Sequence, residues 1–310
     1  MKKITVRLTA ALLFLLAAAG ALSACHNTKP SDIQIPEASS IPGEDTSAPE
    51  SVTEAQTEPV TEPVTEPEPQ SPAAHFDMKD VRLSVTQVGT VERDGDWRVI
   101  QGGTTDGKYL YVIVHNGDKT AAAKSRLRKY DISTMQVVAE TDPLQVCHGN
   151  DIAYKRAENE LYVVHCYPNG DIVSVFDADT LAYKRKIKLP VSIYCMSYDE
   201  SLDCFWVGIN GGDTFAKLTS DFKFVKRYMS RMHSYVTQGM DCDDKYLYFV
   251  RYKKNCVIVY NKKGIFVGEY DLAFSGEPEN ISHVGDVFYI TGNGMMSQGG
   301  LIYKVEVTGK

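Results

Sequence analysis

Amide, imidazole, phenol and carboxylate side chains stand at the start of five apolar stretches of this 310-residue sequence. Such groups donate or accept hydrogen bonds, and a few of them converging on one cleft can orient a small polar, glycan or peptide ligand. The same groups can instead bond one another and channel water, and both interpretations stay open here. The candidate ligand-binding residues are Gln101, His148, Asn150, Tyr194, Gln238, Glu279 and Asn280, with Trp97 and Arg98 just ahead of the first.

Carboxylates form a second candidate set. Glu277-Pro278-Glu279-Asn280 is the most acidic of these starts, and Asp151 and Asp241 occupy equivalent positions in other copies of the repeat described below. Two carboxylates across a channel can transfer protons or hold a divalent cation. Paired carboxylates in turns also serve purely structural roles. Asp241-Cys242-Asp243-Asp244 lacks the glycine and the final glutamate of an EF-hand loop and is interpreted as a turn. No metal site is predicted.

Cysteine usage gives no further catalytic motif. An even number in an exported chain favours disulfides, although buried free thiols fit the sequence equally. No two cysteines form a C-x-x-C pair, so zinc is not indicated, and G-x-S-x-G, H-E-x-x-H and P-loop motifs are absent from the sequence. The six cysteines beyond residue 25 are Cys147, Cys166, Cys195, Cys204, Cys242 and Cys256.

A repeat must position these side chains. The stretch from Gln238 to Tyr248 (Q-G-M-D-C-D-D-K-Y-L-Y) repeats the stretch from Gln101 to Tyr111 (Q-G-G-T-T-D-G-K-Y-L-Y) without a gap. Weaker copies lie between and after them. Short strands that recur about every 40–50 residues are typical of propeller blades. The aromatic residues that end the five copies are Tyr111, Tyr162, Trp206, Tyr248 and Tyr289.

Each repeat contains four alternating apolar and polar stretches, which predicts a blade of four antiparallel strands. The sequence therefore predicts an all-β, five-bladed β-propeller over residues 76–310. The last repeat stops after its third strand, near Val307, whereas one surplus strand from Leu83 to Val88 precedes the first. We expect that strand to complete the last blade and close the ring. The basic runs 124–129 and 184–188 are interpreted as solvated faces of outer strands.

Residues 1–25 have the pattern of an export signal. A basic start precedes an apolar run, Leu8 to Ala21, that is short for a membrane span. It ends in Leu22-Ser23-Ala24-Cys25, which resembles the lipobox of bacterial lipoproteins. The resemblance implies that Cys25 is acylated, with chains such as palmitate, and that lipid anchors the protein to the extracytoplasmic face of the cell membrane. Ordinary secretion after cleavage near Ala24 is the alternative.

Residues 26–75 are predicted to form a disordered stalk that links the lipid anchor to the folded domain in the cell envelope. Pro, Glu, Ser and Thr dominate this segment, so it has little apolar surface to bury. The stalk holds ten acidic residues and one Lys, so its charge of about −9 is the source of the negative balance of the chain, whose formal net charge is −7. Residues 76–310 hold 30 acidic and 29 basic residues. A nearly neutral domain lacks the basic surface that nucleic acid needs, so nucleic acid is not expected as a partner.

The repeats over residues 80–310 resemble those of bacterial extracytoplasmic β-propeller proteins. Thr237-Gln238-Gly239-Met240 is similar to the Phe-Thr-Gln-Gly-Leu stretch in the blades of plant and bacterial glutaminyl-peptide cyclotransferases. That resemblance implies a five-bladed enzyme that converts an N-terminal Gln to pyroglutamate. Here Tyr-Val precedes Thr237 and Met240 replaces Leu, so no catalytic residue is carried over.

Three functions follow as hypotheses. The first is a membrane-anchored module that binds a small polar, glycan or peptide ligand at the mouth of the propeller channel. The second is an enzyme on the same face, either cyclotransferase-like or active on carbohydrate. The third is a structural or assembly role in the cell envelope. The sequence indicates no particular cofactor.

Overall fold

A computed structural model of the chain describes residues 81–93, 95, 97, 99–117, 123–166, 168–209, 214–229, 237–251, 254–274, 276–294 and 299–309. The predicted signal peptide, Cys25 and the predicted stalk lie outside the described residues, and so does Arg98. Within these ranges no helix is long and apolar enough to cross a membrane.

The described chain begins with strand β1 (Val81–Val91), and four sheets follow in which each strand pairs with the next along the chain. All of these pairings are antiparallel, as alternating patterns separated by tight turns require. Blade 1 contains β2 (Val99–Thr105), β3 (Tyr109–His115), β4 (Ser125–Asp131) and β5 (Gln136–Glu140), and blade 2 contains β6 (Asp151–Lys155), β7 (Glu160–Val164), β8 (Ile172–Asp177) and β9 (Tyr183–Lys188). Blade 3 contains β10 (Ile193–Asp199), β11 (Cys204–Ile209), β12 (Thr214–Thr219) and β13 (Phe224–Met229). Blade 4 contains β14 (Thr237–Cys242), β15 (Tyr246–Arg251), β16 (Cys256–Asn261) and β17 (Phe266–Asp271). A 3₁₀ turn, Arg156–Glu158, links β6 to β7.

Blade 5 takes strands from both ends of the described chain. Its innermost strand is interrupted, because β18 (Glu277–Pro278) and β19 (Ser282–Val284) both pair with β20 (Val287–Asn293). Strand β21 (Gly300–Gly309) follows, and β1 pairs with it antiparallel along nearly its whole length. The N-terminal strand is therefore the fourth strand of the fifth sheet. The five-bladed, four-stranded antiparallel propeller predicted from the sequence is confirmed.

Five clusters of buried apolar side chains fill the interfaces between neighbouring blades. One joins blades 1 and 2, and the next three continue around the ring to blade 5. The last joins blade 5 to blade 1, where Tyr289 and Ile302 pack with Ile100 and Val91. Each blade is thus a sheet with both faces covered by its neighbours, so burial of apolar area stabilises the ring as a whole.

The glycines of the two strongest repeat copies lie where innermost strands approach closely. A Cβ on Gly102 would stand 2.3 Å from Asp151 Cα, and a Cβ on Gly239 would stand 2.6 Å from Asn280 Cα. No side chain fits at these distances. The Gln-Gly pairs at residues 101–102 and 238–239 therefore let one blade lie against the backbone of the next.

Two interpretations from the sequence are corrected. All six cysteines beyond residue 25 are buried, and no disulfide joins any two of them, so the disulfides favoured by their even number are not formed. The basic run 184–188 does form an exposed outer strand, β9. The run 124–129 instead enters β4, where Arg128 and Lys129 are buried. Lys129 Nζ donates a hydrogen bond of 3.0 Å to Ala178 O of blade 2, because the third strand still packs against its neighbour.

Candidate functional site

One predicted residue per blade stands at the start of each innermost strand. Gln101 lies in β2, Tyr194 in β10 and Gln238 in β14, while Asn150 directly precedes β6 and Glu279 directly follows β18. Successive innermost strands contact one another around the axis, and the fifth contacts the first. The structure therefore brings these five residues, which are distant in sequence, to one mouth of the channel.

Asn150 binds two other blades through its side chain. Its Nδ2 donates hydrogen bonds to Tyr194 O at 2.8 Å and to Gln238 O at 3.0 Å. The backbone carbonyl of Asn150 accepts a bond of 2.9 Å from the N–H of Gly102 in blade 1. One buried amide at this mouth thus joins blades 2, 3 and 4, and its backbone joins blade 1 as well.

Asn293 makes the equivalent connection between blades 5 and 1. Its Oδ1 accepts the N–H of Ile100 at 2.8 Å, and its Nδ2 donates to Ile100 O at 3.0 Å and to Glu279 Oε1 at 2.5 Å. Gln238 Nε2 in turn donates to Glu277 Oε1 at 2.8 Å, from blade 4 to blade 5. Hydrogen bonds therefore run around this mouth through all five blades and involve the side chains of Asn150, Gln238 and Glu279. Gln101 Oε1 and Asn280 Nδ2 are instead buried without a hydrogen-bond partner among the described residues. Whether the predicted residues also bind a ligand stays a prediction.

Two carboxyl groups near this mouth are buried without a cationic partner in the described part of the chain. Burial raises the pKa of Asp151 well above its ordinary value, although its Oδ2 accepts the N–H groups of Met196 and Met240. Burial also raises the pKa of Glu279, and the nearby charge of Glu277 adds to that rise. Both groups hold their protons more tightly than a solvated carboxyl group does.

The remaining predicted residues lie at the same end of the channel but have structural contacts. Asn280 is buried, and its Oδ1 accepts hydrogen bonds from the backbone and the hydroxyl of Thr291. His148 is half-buried with its ring centroid 4.7 Å from that of His115. The guanidinium of Arg126 lies 4.4 Å from the ring of Trp97.

A pocket that the sequence did not reveal opens at the opposite mouth, where the innermost strands end. Its volume is about 90 Å³, and all five blades contribute to it, so we call it the axial pocket. It is lined by Thr104, Thr105, Tyr154, Arg156, Ser197, Tyr198, Asp199, Glu200, Ser201, Asp241, Cys242, Asp243, Asp244, Ser282 and His283.

A histidine–aspartate pair forms one wall of the axial pocket. His283 Nδ1 lies 2.5 Å from Asp241 Oδ2, and Asp241 Oδ1 accepts bonds from Ser197 Oγ and the N–H of Cys242. Burial acts to lower the pKa of His283, but the charges of Asp241 and Asp243 outweigh it and hold that pKa above its ordinary value. The carboxylate orients the ring, and His283 Nε2 has no hydrogen-bond partner among the described residues.

Other carboxylates of the axial pocket make contacts within and between blades. Asp199 forms an ion pair with Lys262 of blade 4 and accepts Trp206 Nε1–H at 2.9 Å. Burial acts to raise the pKa of Asp199, but Lys262 and the hydrogen bonds hold it below its ordinary value. Asp243 accepts the hydroxyl of Tyr248, and burial raises its pKa.

The direction of the innermost strands alone predicts that residues at their ends, such as Asp241, lie at the mouth opposite the strand starts. Asp241 is equivalent to Asp151 in the repeat, and the acids after it predict a turn but no pocket. Ser282 and His283 lie two and three residues after Asn280, further along the innermost strand of the last blade, and no motif marks them. No group of three or more His, Cys, Asp or Glu side chains in the described ranges is arranged to hold a metal ion.

No protein-family model matches the sequence, and neither does any curated protein. Solved structures share its fold. A glutaminyl cyclase from Myxococcus xanthus matches with a TM-score of 0.55 at 13% identity, over 74% of this chain and 99% of that chain. The tail fibre of Staphylococcus aureus phage P68 matches with a TM-score of 0.55 at 12% identity, over 73% of this chain and 53% of that one. Identities this low show the fold alone, and at that level the resemblance to glutaminyl cyclase propellers is confirmed.

Proposed function

We propose that this chain is a lipid-anchored, extracytoplasmic β-propeller that binds a small polar, glycan or peptide ligand in the axial pocket. The observation that carries the proposal concerns Ser282 and His283. Both line the pocket, with Ser282 2% exposed and the His283 side chain 6% exposed. Neither Ser282 Oγ nor His283 Nε2 has a hydrogen-bond partner within the described residues. Buried polar atoms without partners are costly, and they are retained where they bind water or a ligand.

The rest of the lining supports a polar ligand. Carboxylates and a guanidinium supply acceptors and donors, and the rings of Tyr154 and Tyr198 supply flat apolar surface beside them. A few oriented polar groups with aromatic faces suit the mixed surface of a sugar or a peptide. The surrounding turns are tied by hydrogen bonds, such as Tyr154 Oη to Asn159 at 3.1 Å, so the site is preorganised.

Anchoring is tested separately from binding. The Cys25→Ala variant should move the protein from the membrane fraction to the soluble fraction, because it removes the acylated thiol that the lipobox implies. Retention of this variant in the membrane would contradict lipid anchoring and leave the binding proposal intact.

Ligand binding is tested by a thermal-shift screen of the full chain against amino acids, short peptides and mono- and oligosaccharides. A ligand at a hundred times its Kd stabilises the folded state by about 2.7 kcal/mol, which is readily measured. This increase in stability with ligand should disappear in the His283→Gln variant. It should persist in Asp142→Asn, which changes an exposed carboxylate outside the pocket. A hit that His283→Gln retains would place binding elsewhere.

An enzyme is the second candidate, favoured by the Asp241–His283 pair. A histidine whose Nδ1 is bonded to a carboxylate and whose side chain lines a pocket has the arrangement of a general base. The fold likeness to a glutaminyl cyclase suggests a peptide with an N-terminal Gln as the first substrate to try. The wild-type protein is expected to release ammonia from such a peptide. The Asp142→Asn variant should keep this activity, and the His283→Gln variant should lose it. Absence of turnover would reject this activity and leave binding as the function.

A further inference from the structure

The axial pocket carries more negative than positive charge. Arg156 and His283 are the basic residues in its lining, and Lys262 lies beside it in an ion pair with Asp199. Glu200 Oε1 accepts the backbone N–H of Arg156, a bond that leaves the charge of the carboxylate in place. The carboxyl groups of the lining are those of Asp199, Glu200, Asp241, Asp243 and Asp244.

Ser282 and His283 add an independent observation. Each is more than nine-tenths buried, lines the pocket, and has one polar atom without a hydrogen-bond partner among the described residues. A cluster of carboxylates alone is often only a solvated surface. Buried atoms without partners beneath that cluster indicate that something binds there.

The bond to Asp241 decides what His283 Nε2 can do. A carboxylate accepts hydrogen bonds, so the proton lies on Nδ1, which is 2.5 Å from Asp241 Oδ2. In the neutral ring Nε2 then carries a lone pair and accepts a hydrogen bond. Ser282 Oγ can accept one as well. The buried Ser282 and His283 therefore present acceptors in a pocket whose exposed rim carries the carboxylates of Glu200 and Asp244.

Resting on the proposed function, we infer that the ligand of the axial pocket carries a small organic cation, such as a primary ammonium group, which donates hydrogen bonds to His283 Nε2 and Ser282 Oγ. An ammonium group has three donors and no acceptor, which matches a site of acceptors and carboxylates. An anionic group would be repelled by the rim. A neutral hydroxyl group would leave the excess negative charge uncompensated.

A proton competes with this cation. The charged groups that face His283 are Asp241, Asp243 and Lys262, and the rings of Tyr248 and Phe288 lie 6.2 and 5.6 Å away. Burial and Lys262 lower the pKa of His283, but the two carboxylates raise it further. The empty pocket therefore favours a proton on His283, and a cation must displace it. Its affinity should fall as the pH falls, whereas an anion would show the opposite dependence.

The experiment compares three probes of similar shape on the full-length protein: propylammonium, 1-propanol and propionate at equal ionic strength. The Hε1 resonance of His283, assigned by its loss in His283→Gln, is followed by NMR against probe concentration and pH. Propylammonium should shift it in a saturable way and lower its apparent pKa. Below that pKa the affinity should fall by about tenfold per pH unit, as displacement of one proton requires.

The outcomes separate this inference from the proposed function. A saturable shift of equal size with 1-propanol or propionate would overturn the inference that the ligand is a cation, and it would leave a binding pocket in place. A response to none of the three probes would also overturn the cation, and the ligand screen described above then decides the proposed function alone.

A rim variant covers the case in which His283→Gln does not fold. Glu200→Gln changes an exposed side chain and keeps the acceptor for the N–H of Arg156, yet it removes one negative charge. Propylammonium should bind about fivefold more weakly to it, as loss of one solvent-exposed charge interaction predicts. Asp142→Asn, outside the pocket, should bind it unchanged. Equal affinity in both variants would overturn the inference.

Discussion

The hydroxyl of Tyr111 donates a hydrogen bond of 2.7 Å to Asp106 Oδ2, and the other oxygen of that carboxylate closes the turn between them. Asp106 Oδ1 accepts the N–H groups of Lys108 and Tyr109 at 2.8 and 2.7 Å. One carboxylate therefore fixes both the hairpin turn and the aromatic ring that follows. This accounts for the Asp-x-Lys-Tyr-Leu-Tyr spacing of the repeat.

Three more blades join an aromatic residue of the second strand to a carboxylate of the same turn. Tyr248 donates to Asp243, and Trp206 Nε1 donates to Asp199 at 2.9 Å. Tyr162 donates to Glu158 at 2.8 Å. The recurring aromatic is thus a structural element on the face of the axial pocket, where it holds the pocket's turns in position.

Replacement of Tyr111 or Tyr248 by Phe should lower the free energy of unfolding by about 1.5–3 kcal/mol, because each loses a buried hydrogen bond to a charged group. Denaturant unfolding measures the change. The control is Tyr183→Phe, since that side chain lies on an outer strand and is 53% exposed. A loss no larger than that of the control would show that the carboxylate contacts add nothing to stability.

Asp151→Asn should stabilise the protein increasingly as the pH rises. The folded-state pKa of Asp151 is raised, so the folded state holds the proton more tightly than the unfolded chain. The stability that Asp151 contributes to the wild-type protein is fully present below its pKa in the unfolded chain, about 3.9. That contribution is lost as the pH rises towards the pKa of Asp151 in the folded state. Asn keeps an acceptor for the N–H groups of Met196 and Met240 and does not ionise. Unfolding curves from about pH 5 to about pH 8 compare the two proteins. Parallel curves would contradict a raised pKa.

The fold was predictable because its determinants are local and repeated. The Gln-Gly and Asp-x-Lys-Tyr-Leu-Tyr elements recur in blades 1 and 4, and weaker copies of the same strand pattern mark the other three blades, so the repeats together specify five blades. The place of β1 followed from counting strands. Burial of Lys129 was not predictable, because its partner, Ala178 O, lies in another blade and the contact exists only after the ring forms.

The candidate site was predictable only in part. The residues at the strand starts were found, and their convergence followed from propeller symmetry. Their mutual bonds, such as Asn150 to Tyr194 and Gln238, depend on side-chain placement that no repeat shows. His283 was missed because it has no counterpart in the other repeats and lies in a strand of three residues.

Gly102→Ala and Gly239→Ala should each destabilise the fold by about 1–3 kcal/mol or more, because the new methyl group would overlap the backbone of the next innermost strand. Gly89→Ala is the matched control, since a Cβ there would lie at an ordinary 3.4 Å from Ile302. Thermal unfolding of the three variants decides the matter. Equal melting temperatures would mean that the innermost strands have room to separate.

Removal of β1 should strongly destabilise the propeller. A fragment of residues 92–310 leaves β21 as an exposed edge and removes the apolar side chains that β1 contributes to the core, including those of Val81 and Val91. A fragment of residues 76–310 keeps the strand and should unfold cooperatively at a higher temperature. An unchanged melt for the shorter fragment would show that the ring does not depend on the N-terminal strand.

The two mouths of the channel should respond oppositely to mutation. Asn150→Ala removes two hydrogen bonds between blades and leaves the carbonyl groups of Tyr194 and Gln238 without them, which should cost about 1–3 kcal/mol of stability. Ligand affinity at the axial pocket should stay unchanged, because that pocket is built at the other end of the innermost strands. His283→Gln should abolish or strongly weaken binding while the melting temperature falls less, since it alters one hydrogen bond, to Asp241, and the ring contacts with Tyr248 and Phe288. Melting temperature and ligand affinity measured on both variants test this division. Loss of affinity in Asn150→Ala at unchanged stability would place the ligand at the strand-start mouth instead.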